Sequence, residues 1–196
     1  MISFLLEVLY IFIMLNDIKF DPFPIIRTKQ LVLRQINEND AQEILFLRSN
    51  KLVMEYLDRP LFTSTREAKN FINRITSQIS ETKAIVWGIV FENSNKIIGT
   101  IGYHKIIKEH HRAELGYMLH PSYQGKGLMQ EALTSVIKFG FEQMKLHSIE
   151  ADVNPNNEKS INLLLRNGFI KEAHFRESYH FNGVFLDSAI YSLLKS

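Results

Sequence analysis

The stretch "RAELGYMLHPSYQGKGLMQEALTSVIKFGFE", residues 112–142, changes its hydrophobic period midway, and that change constrains the fold more than any other feature of the chain. Up to Leu119 the pattern alternates. Glu114, Gly116 and Met118 share one side and Leu115, Tyr117 and Leu119 the other, as in a strand that stops at Pro121. From Gly127 the apolar residues Leu128, Ala132, Leu133, Val136, Ile137 and Phe141 recur at helical spacing and make a broad stripe. "HSIEADVN" then alternates again, setting Ile149, Ala151 and Val153 against Glu150, Asp152 and Asn154. A strand, a glycine turn, a helix and a second strand in this order call for a sheet with helix packed on it.

The flanking segments extend that pattern. "IIRTKQLVLRQI" contains an alternating strand at Leu31 to Arg34, and Asn37 to Asp40 offers capping residues for a helix over "AQEILFLRSN". After a loop at "DRPLF", a second helix places Ala68, Phe71, Ile72, Ile75 and Ile79 on one face. "AIVWGIVFENSNKIIGTIGYHKI" reads as two strands joined at Glu92-Asn93-Ser94-Asn95, a hairpin turn. Beyond "HSIEADVN", a short helix opens at Asn156-Asn157 and ends at Asn167-Gly168. Two strands around "KEAHFRESYHF" and "VFLDSAIYSLL" close the chain through Asn182-Gly183. The expected architecture is α+β: a mixed, mostly antiparallel central sheet with helices on both faces.

A chain of 196 residues, 45% of them hydrophobic, supports one good core and is short for two full domains. Its formal charge is +2 with scattered Lys and Arg, which argues against a dedicated nucleic-acid binder. The lack of cysteine excludes disulfides, cysteine nucleophiles and thiolate metal sites, and fits a cytoplasmic setting. His104 and His110-His111 have no third ligand at a metal-binding spacing and read as solvated, so no metal is expected. The opening apolar run, Phe4 to Leu15, contains Glu7 and is shorter than the roughly 20 residues of a membrane span. It could be a packed helix, a membrane-surface anchor or residues upstream of a true start at Met14. The last is the expectation, with residues 1–24 an extension and 25–196 one domain.

The glycines carry the chemistry. Between a strand end and a helix start, free backbone N–H groups meet the positive end of the helix dipole, and glycine lets a phosphate or pyrophosphate approach the backbone. Lys126 could add a point charge. The same glycines also suit a plain strand-to-helix turn. A P-loop is excluded because His120 stands at its first glycine position and Gly127 follows the lysine. A dinucleotide fingerprint is excluded because Gln130 stands at its third glycine.

"YQGKGLM" resembles the acyl-CoA pyrophosphate loop of the GNAT N-acetyltransferases, Arg/Gln-x-x-Gly-x-Gly/Ala, with Met129 departing at the last place. The flanks "RAELGYMLHPSYQGKGLMQEAL", "NNEKSINLLLRNGF" and "TKQLVLRQI" are similar to the branch that includes the ribosomal-protein N-terminal (alanine/serine) acetyltransferases, where methionine at that place is usual. The resemblance runs from about Ile25 to the C-terminus. It implies a strand splayed from its parallel neighbour, with the pantetheine arm of acetyl-CoA in the gap against Met118, Leu119 and His120. It also implies a pyrophosphate held by Gln124, Gly125, Lys126, Gly127, Leu128 and Met129, and a cofactor contact from Asn157. The Leu119 N–H would polarise the thioester and stabilise the oxyanion.

Glu114, fixed on a strand near the splay, is the candidate base, with a structural ion pair to Arg112 or Arg48 as the alternative reading. The tyrosine acid usual in the family is replaced by Leu164, so the resemblance shifts that role to Ser160, which could instead serve the first turn of its helix. Tyr56, Phe62 and Tyr103 would line the acceptor cleft. The implied reaction is acetyl transfer from acetyl-CoA to a primary amine by direct attack, in a monomer or homodimer. The acceptor would be a peptide N-terminus or a small molecule. A non-catalytic acyl-CoA-binding module is the competing class.

Overall fold

A computed structural model describes residues 18–195 of the chain, so the expected start at Met14 lies outside the described residues. The described chain is already packed ahead of Ile25. Phe20 is buried, Ile18 and Phe23 lie on the core, and the Trp87 indole N–H donates to the Pro24 carbonyl at 2.7 Å.

The elements in order are β1 (Ile26–Arg27), β2 (Leu31–Gln35), α1 (Ala41–Ser49), α2 (Lys51–Met54), α3 (Thr65–Ser80), β3 (Ile85–Phe91), β4 (Gly99–Ile107) and β5 (Arg112–Leu119). They continue with α4 (Leu128–Glu142), β6 (Ser148–Val153), α5 (Glu158–Arg166), β7 (Ile170–Phe181) and β8 (Val184–Leu194). The strands form one sheet in the order β1-β2-β3-β4-β5-β6-β8-β7. Only β5 and β6 are parallel, and α4 makes the crossover between them.

Local chemistry sets the element ends. Asn37 and Asp40 form a capping box ahead of α1, and Asp40 is also gripped by both Arg34 Nη atoms at 2.9 and 2.7 Å. Ser64 and Glu67 cap α3 in the same way. The helix expected over "AQEILFLRSN" ends at Asn50 as its C-cap, and a second short helix, which the sequence did not announce, follows it. There the backbone turns extended, and the side chain accepts from the Leu52 and Val53 N–H groups to start α2.

The core lies on both sides of β3 and β4, with Trp87, Ile85, Ile101 and Tyr103 fully enclosed. Tyr103 is therefore not a cleft residue, in contrast to the expectation. Its hydroxyl donates to the Val136 carbonyl of α4 at 2.9 Å. Close packing also requires glycine in β4. A Cβ on Gly102 would lie 2.2 Å from the Ile85 carbonyl oxygen and 2.6 Å from the Val86 Cα, both backbone atoms of β3. One on Gly88 would meet only side chains, the nearest being the flexible end of Ile97 at 2.5 Å. Urea unfolding should therefore show Gly102→Ala losing about 2–3 kcal/mol and Gly88→Ala distinctly less. Equal stabilities for the two variants would contradict this packing.

Candidate active site

Strands β5 and β6 are paired only through Arg112–Ser148, Ala113–Ile149 and Glu114–Glu150. Beyond Glu114 they part. β6 stays bonded to β8 along its whole length, while β5 stays bonded to β4 as far as Leu119. A bulge in β4 between Tyr103 and Lys105 sits opposite the parting point and bends that half of the sheet. The edge of β5 from Leu115 to Leu119 is thus left open toward the gap. The His120 N–H bonds back to Ile98 of the neighbouring segment at 2.8 Å, so by strand alternation the Leu119 N–H and carbonyl point the other way, into the gap. The Gln124 side chain donates to that Leu119 carbonyl at 3.1 Å, and the N–H stays open.

The open edge leads directly into the glycine loop. Gly125 and Gly127 adopt φ of +74° and +76°, a conformation that L side chains rarely take, and nothing lies within 4 Å of a Cβ on either. Gly127 is the N-cap of α4 and supplies no side-chain cap, so the first N–H groups of that 15-residue helix stay free at its positive end. Leu128 and Met129 turn their side chains into the core and anchor the loop from below.

These features border a cleft of about 1480 Å³. Of the expected residues it brings together Met118, Leu119, Gln124, Gly125, Gly127, Leu128, Met129, Asn157 and Ser160. Glu114, His120 and Lys126 are not on its wall. The His120 ring stacks on Phe46 of α1 with centroids 4.4 Å apart, and the Lys126 ammonium sits 5.6 Å from the Tyr123 ring. Asn157 caps α5 by accepting from the Ser160 N–H at 3.1 Å. Tyr56 lines this cleft, beside the glycine loop, whereas Phe62 packs edge-on against Phe71.

The sequence reading passed over Tyr117. Its side chain leaves β5 on the face covered by α4 and α5, and its hydroxyl lies 2.7 Å from Ser160 Oγ on the cleft wall. Burial pushes the phenol up to about 12, against a smaller opposing effect of the Ser160 hydrogen bond, so it is protonated at neutral pH. Leu164, where the family tyrosine would stand, is fully enclosed in the core. The signal for Tyr117 was the alternation itself, which put it opposite Glu114.

Glu114 lies on the other face, half-buried at the parting point. Neither expected arginine pairs with it: Arg112 reaches Glu150 at 3.5 Å, and Arg48 is stacked on phenylalanines. Burial raises the Glu114 carboxyl above its ordinary value, Asp152 and Glu150 add to this by repulsion, and Lys105 and Arg59 oppose it. The residues after α2 close over this region. Asp58, at φ +44°, accepts a hydrogen bond from Tyr179 of β7 and ties the loop to the far half-sheet.

The acetyltransferase (GNAT) domain family matches residues 30–170. A Bacillus subtilis (strain 168) protein named as the uncharacterized N-acetyltransferase YoaA is 36% identical over 173 residues, covering 88% of this chain and 98% of its own. Among solved structures, a ribosomal-protein-S5-alanine acetyltransferase from Vibrio fischeri superposes with a TM-score of 0.76 at 28% identity, over 87% of this chain and 96% of that one. The microcin C7 self-immunity acetyltransferase MccE, solved with acetyl-CoA and AMP, shares the fold at a TM-score of 0.76 and 23% identity, over 85% and 93% of the two chains. With its parted strands, glycine loop and helix start in the family's order, the chain belongs to the GNAT acetyltransferases.

Proposed function

We propose that the protein transfers an acetyl group from acetyl-CoA to a primary amine by direct attack. The observation that carries this reading is the open edge of β5 running into an uncapped helix start through two glycines of positive φ. That arrangement offers strand-like hydrogen bonds to a pantetheine arm and free N–H groups to a pyrophosphate. The residues present therefore fit the cofactor. Bound there, acetyl-CoA supplies a thioester carbonyl carbon as the electrophile.

The chain's own groups then have distinct tasks. Most of the acceleration comes from holding amine and thioester together along a rigid strand. The Leu119 N–H donates where negative charge develops on the carbonyl oxygen. Glu114 takes the proton that the amine nitrogen loses as its bond to carbon forms. Ser160, backed by the Tyr117 phenol at 2.7 Å, gives a proton to the sulfur as the carbon–sulfur bond breaks. The products are an amide and free thiol, and the two protons balance. Kinship with the S5-alanine enzyme supports a protein N-terminal amine as acceptor. The hydrogen bond from Tyr179 to Asp58, which ties the loop after α2 to β7, favours a small amine over a long peptide.

Calorimetry should show acetyl-CoA binding to the parent and a loss of at least about tenfold in Gly127→Val, because the side chain needs a φ it does not tolerate. No binding to the parent would remove the basis of the proposal. Glu114→Gln should lower kcat by about a hundredfold with acetyl-CoA affinity unchanged. An unaltered kcat would reduce Glu114 to a structural role.

The acid limb of the kcat profile supplies a pH test. Glu114 must be ionised to act and its folded value is raised, so activity should fall on acidification at a pH above the ordinary glutamate value of 4.5. Asp152→Asn removes a repelling charge and should move that limb down. The sign for stability is opposite to that of a salt-bridged carboxylate: the folded state holds this proton more tightly, so ionising Glu114 as pH rises costs stability.

A further inference from the structure

Helix α5 gives the cleft one wall, with Ser160, Leu163 and Arg166, and the start of α4 gives it another, with Leu128, Met129 and Gln130. Among the described residues, side-chain hydrogen bonds tie α5 to other elements at two places. At its start Ser160 meets Tyr117 of β5. At its end the C-cap residue Asn167 meets Gln130, on the first turn of α4.

The second link is a reciprocal amide pair. Gln130 Nε2 donates to Asn167 Oδ1 at 2.7 Å, and Asn167 Nδ2 donates back to Gln130 Oε1 at 3.1 Å. The other hydrogen of Asn167 Nδ2 goes to the Leu163 carbonyl at 2.8 Å, which fixes the end of the amide that carries nitrogen. The other hydrogen of Gln130 Nε2 reaches Thr134 Oγ1 at 3.2 Å, and that hydroxyl donates to the Gln130 carbonyl at 2.9 Å. Every amide hydrogen of the pair is used, and a network satisfied in this way is rigid and directional. Capping α5 requires only the bond to Leu163. The bonds to Gln130 do something more: they join the two walls of the cleft.

Building on the acetyl-transfer reading, we propose that Asn167 is a positioning residue for acetyl-CoA: through Gln130 it fixes the width of the cleft between α5 and the start of α4. The pantetheine arm turns about many single bonds, so the walls decide how tightly it is held. Ser160 precedes Asn167 by about 10 Å along the helix axis. With the amide pair broken, α5 keeps only its link to Tyr117 and pivots about it. Leu163 and Arg166 then swing away from the arm, while Ser160, next to the pivot, stays in place.

Asn167→Ser keeps a hydroxyl for the Leu163 carbonyl but is too short to reach Gln130. Calorimetry should show its Kd for acetyl-CoA, and equally for free CoA, raised by about tenfold. The KM for acetyl-CoA should rise with it, the acceptor KM should not move, and kcat should change by less than about threefold. A role in stability alone would reduce the amount of active enzyme and leave both KM values where they are.

Gln130→Met breaks the same pair from α4, leaves the cap of α5 intact, and serves where Asn167→Ser does not fold. Because the two amides act as one unit, the double variant should bind acetyl-CoA no more weakly than the weaker single variant. Three outcomes would overturn the inference: an unchanged acetyl-CoA affinity in either folded variant, losses that add in the double variant, or a lowered Tm with both KM values unchanged. Each leaves acetyl transfer itself standing. Absence of acetyl-CoA binding to the parent in the calorimetry above would instead sink both.

Discussion

Three residue pairs are all that join β5 to β6, and the rest of the site depends on how short that contact is. Two strands bonded along their full length would have no open edge, and the Leu119 N–H would be consumed in the ladder. Two strands with no contact would lose the fixed position of Glu114. The chain maintains the compromise from both sides. β6 is bonded to β8 at six successive positions, so it cannot swing back to β5. The β4 bulge bends the other half away at the same level. A gap of this kind carries unsatisfied backbone groups, which a protein leaves only where a ligand or water meets them.

Much of this was legible in the sequence, for local reasons. The change of period around Pro121 identified β5 and α4, and Asn157 and Gly168 marked both ends of α5 because caps and left-handed turns need particular residues. The loop glycines were legible because only glycine takes φ near +75° without strain. What remained hidden was set by contacts between distant segments. Tyr103 is enclosed because α4 covers its face of the sheet, and the bulge after it shifts the register against β5. The partnership of Tyr117 with Ser160 requires knowing that α5 covers that face. His120 leaves the cleft because Phe46, 74 positions earlier, offers it a ring to stack on.

The two faces of β5 divide the work by solvation. On the α4 and α5 side, Tyr117 is enclosed and holds its proton at neutral pH. On the other side, burial makes ionisation of Glu114 harder, Asp152 and Glu150 add to this, and Lys105 and Arg59 oppose it. Under the proposed mechanism, alternation along one strand sets Glu114 as the base on one side and Tyr117, behind Ser160, on the other, three residues apart, with no loop to position either.

Two arginines near the ends of one helix show two ways in which a fold accommodates a buried cation. Arg34 grips Asp40 through both Nη atoms ahead of α1, and that hydrogen bond raises its pKa. The pair locks the entry of the helix, and its charge is spent. Arg48, near the exit of the same helix, is more deeply enclosed, has no carboxylate partner among the described residues, and has its pKa lowered. Stability alone does not favour the second arrangement, since an apolar side chain between Phe62 and Phe71 would pack there without the desolvation cost. Arg34 thus closes one end of α1 as a matched pair, whereas at the other end Arg48 rests on the faces of Phe62 and Phe71 with its desolvation cost met by no carboxylate among the described residues.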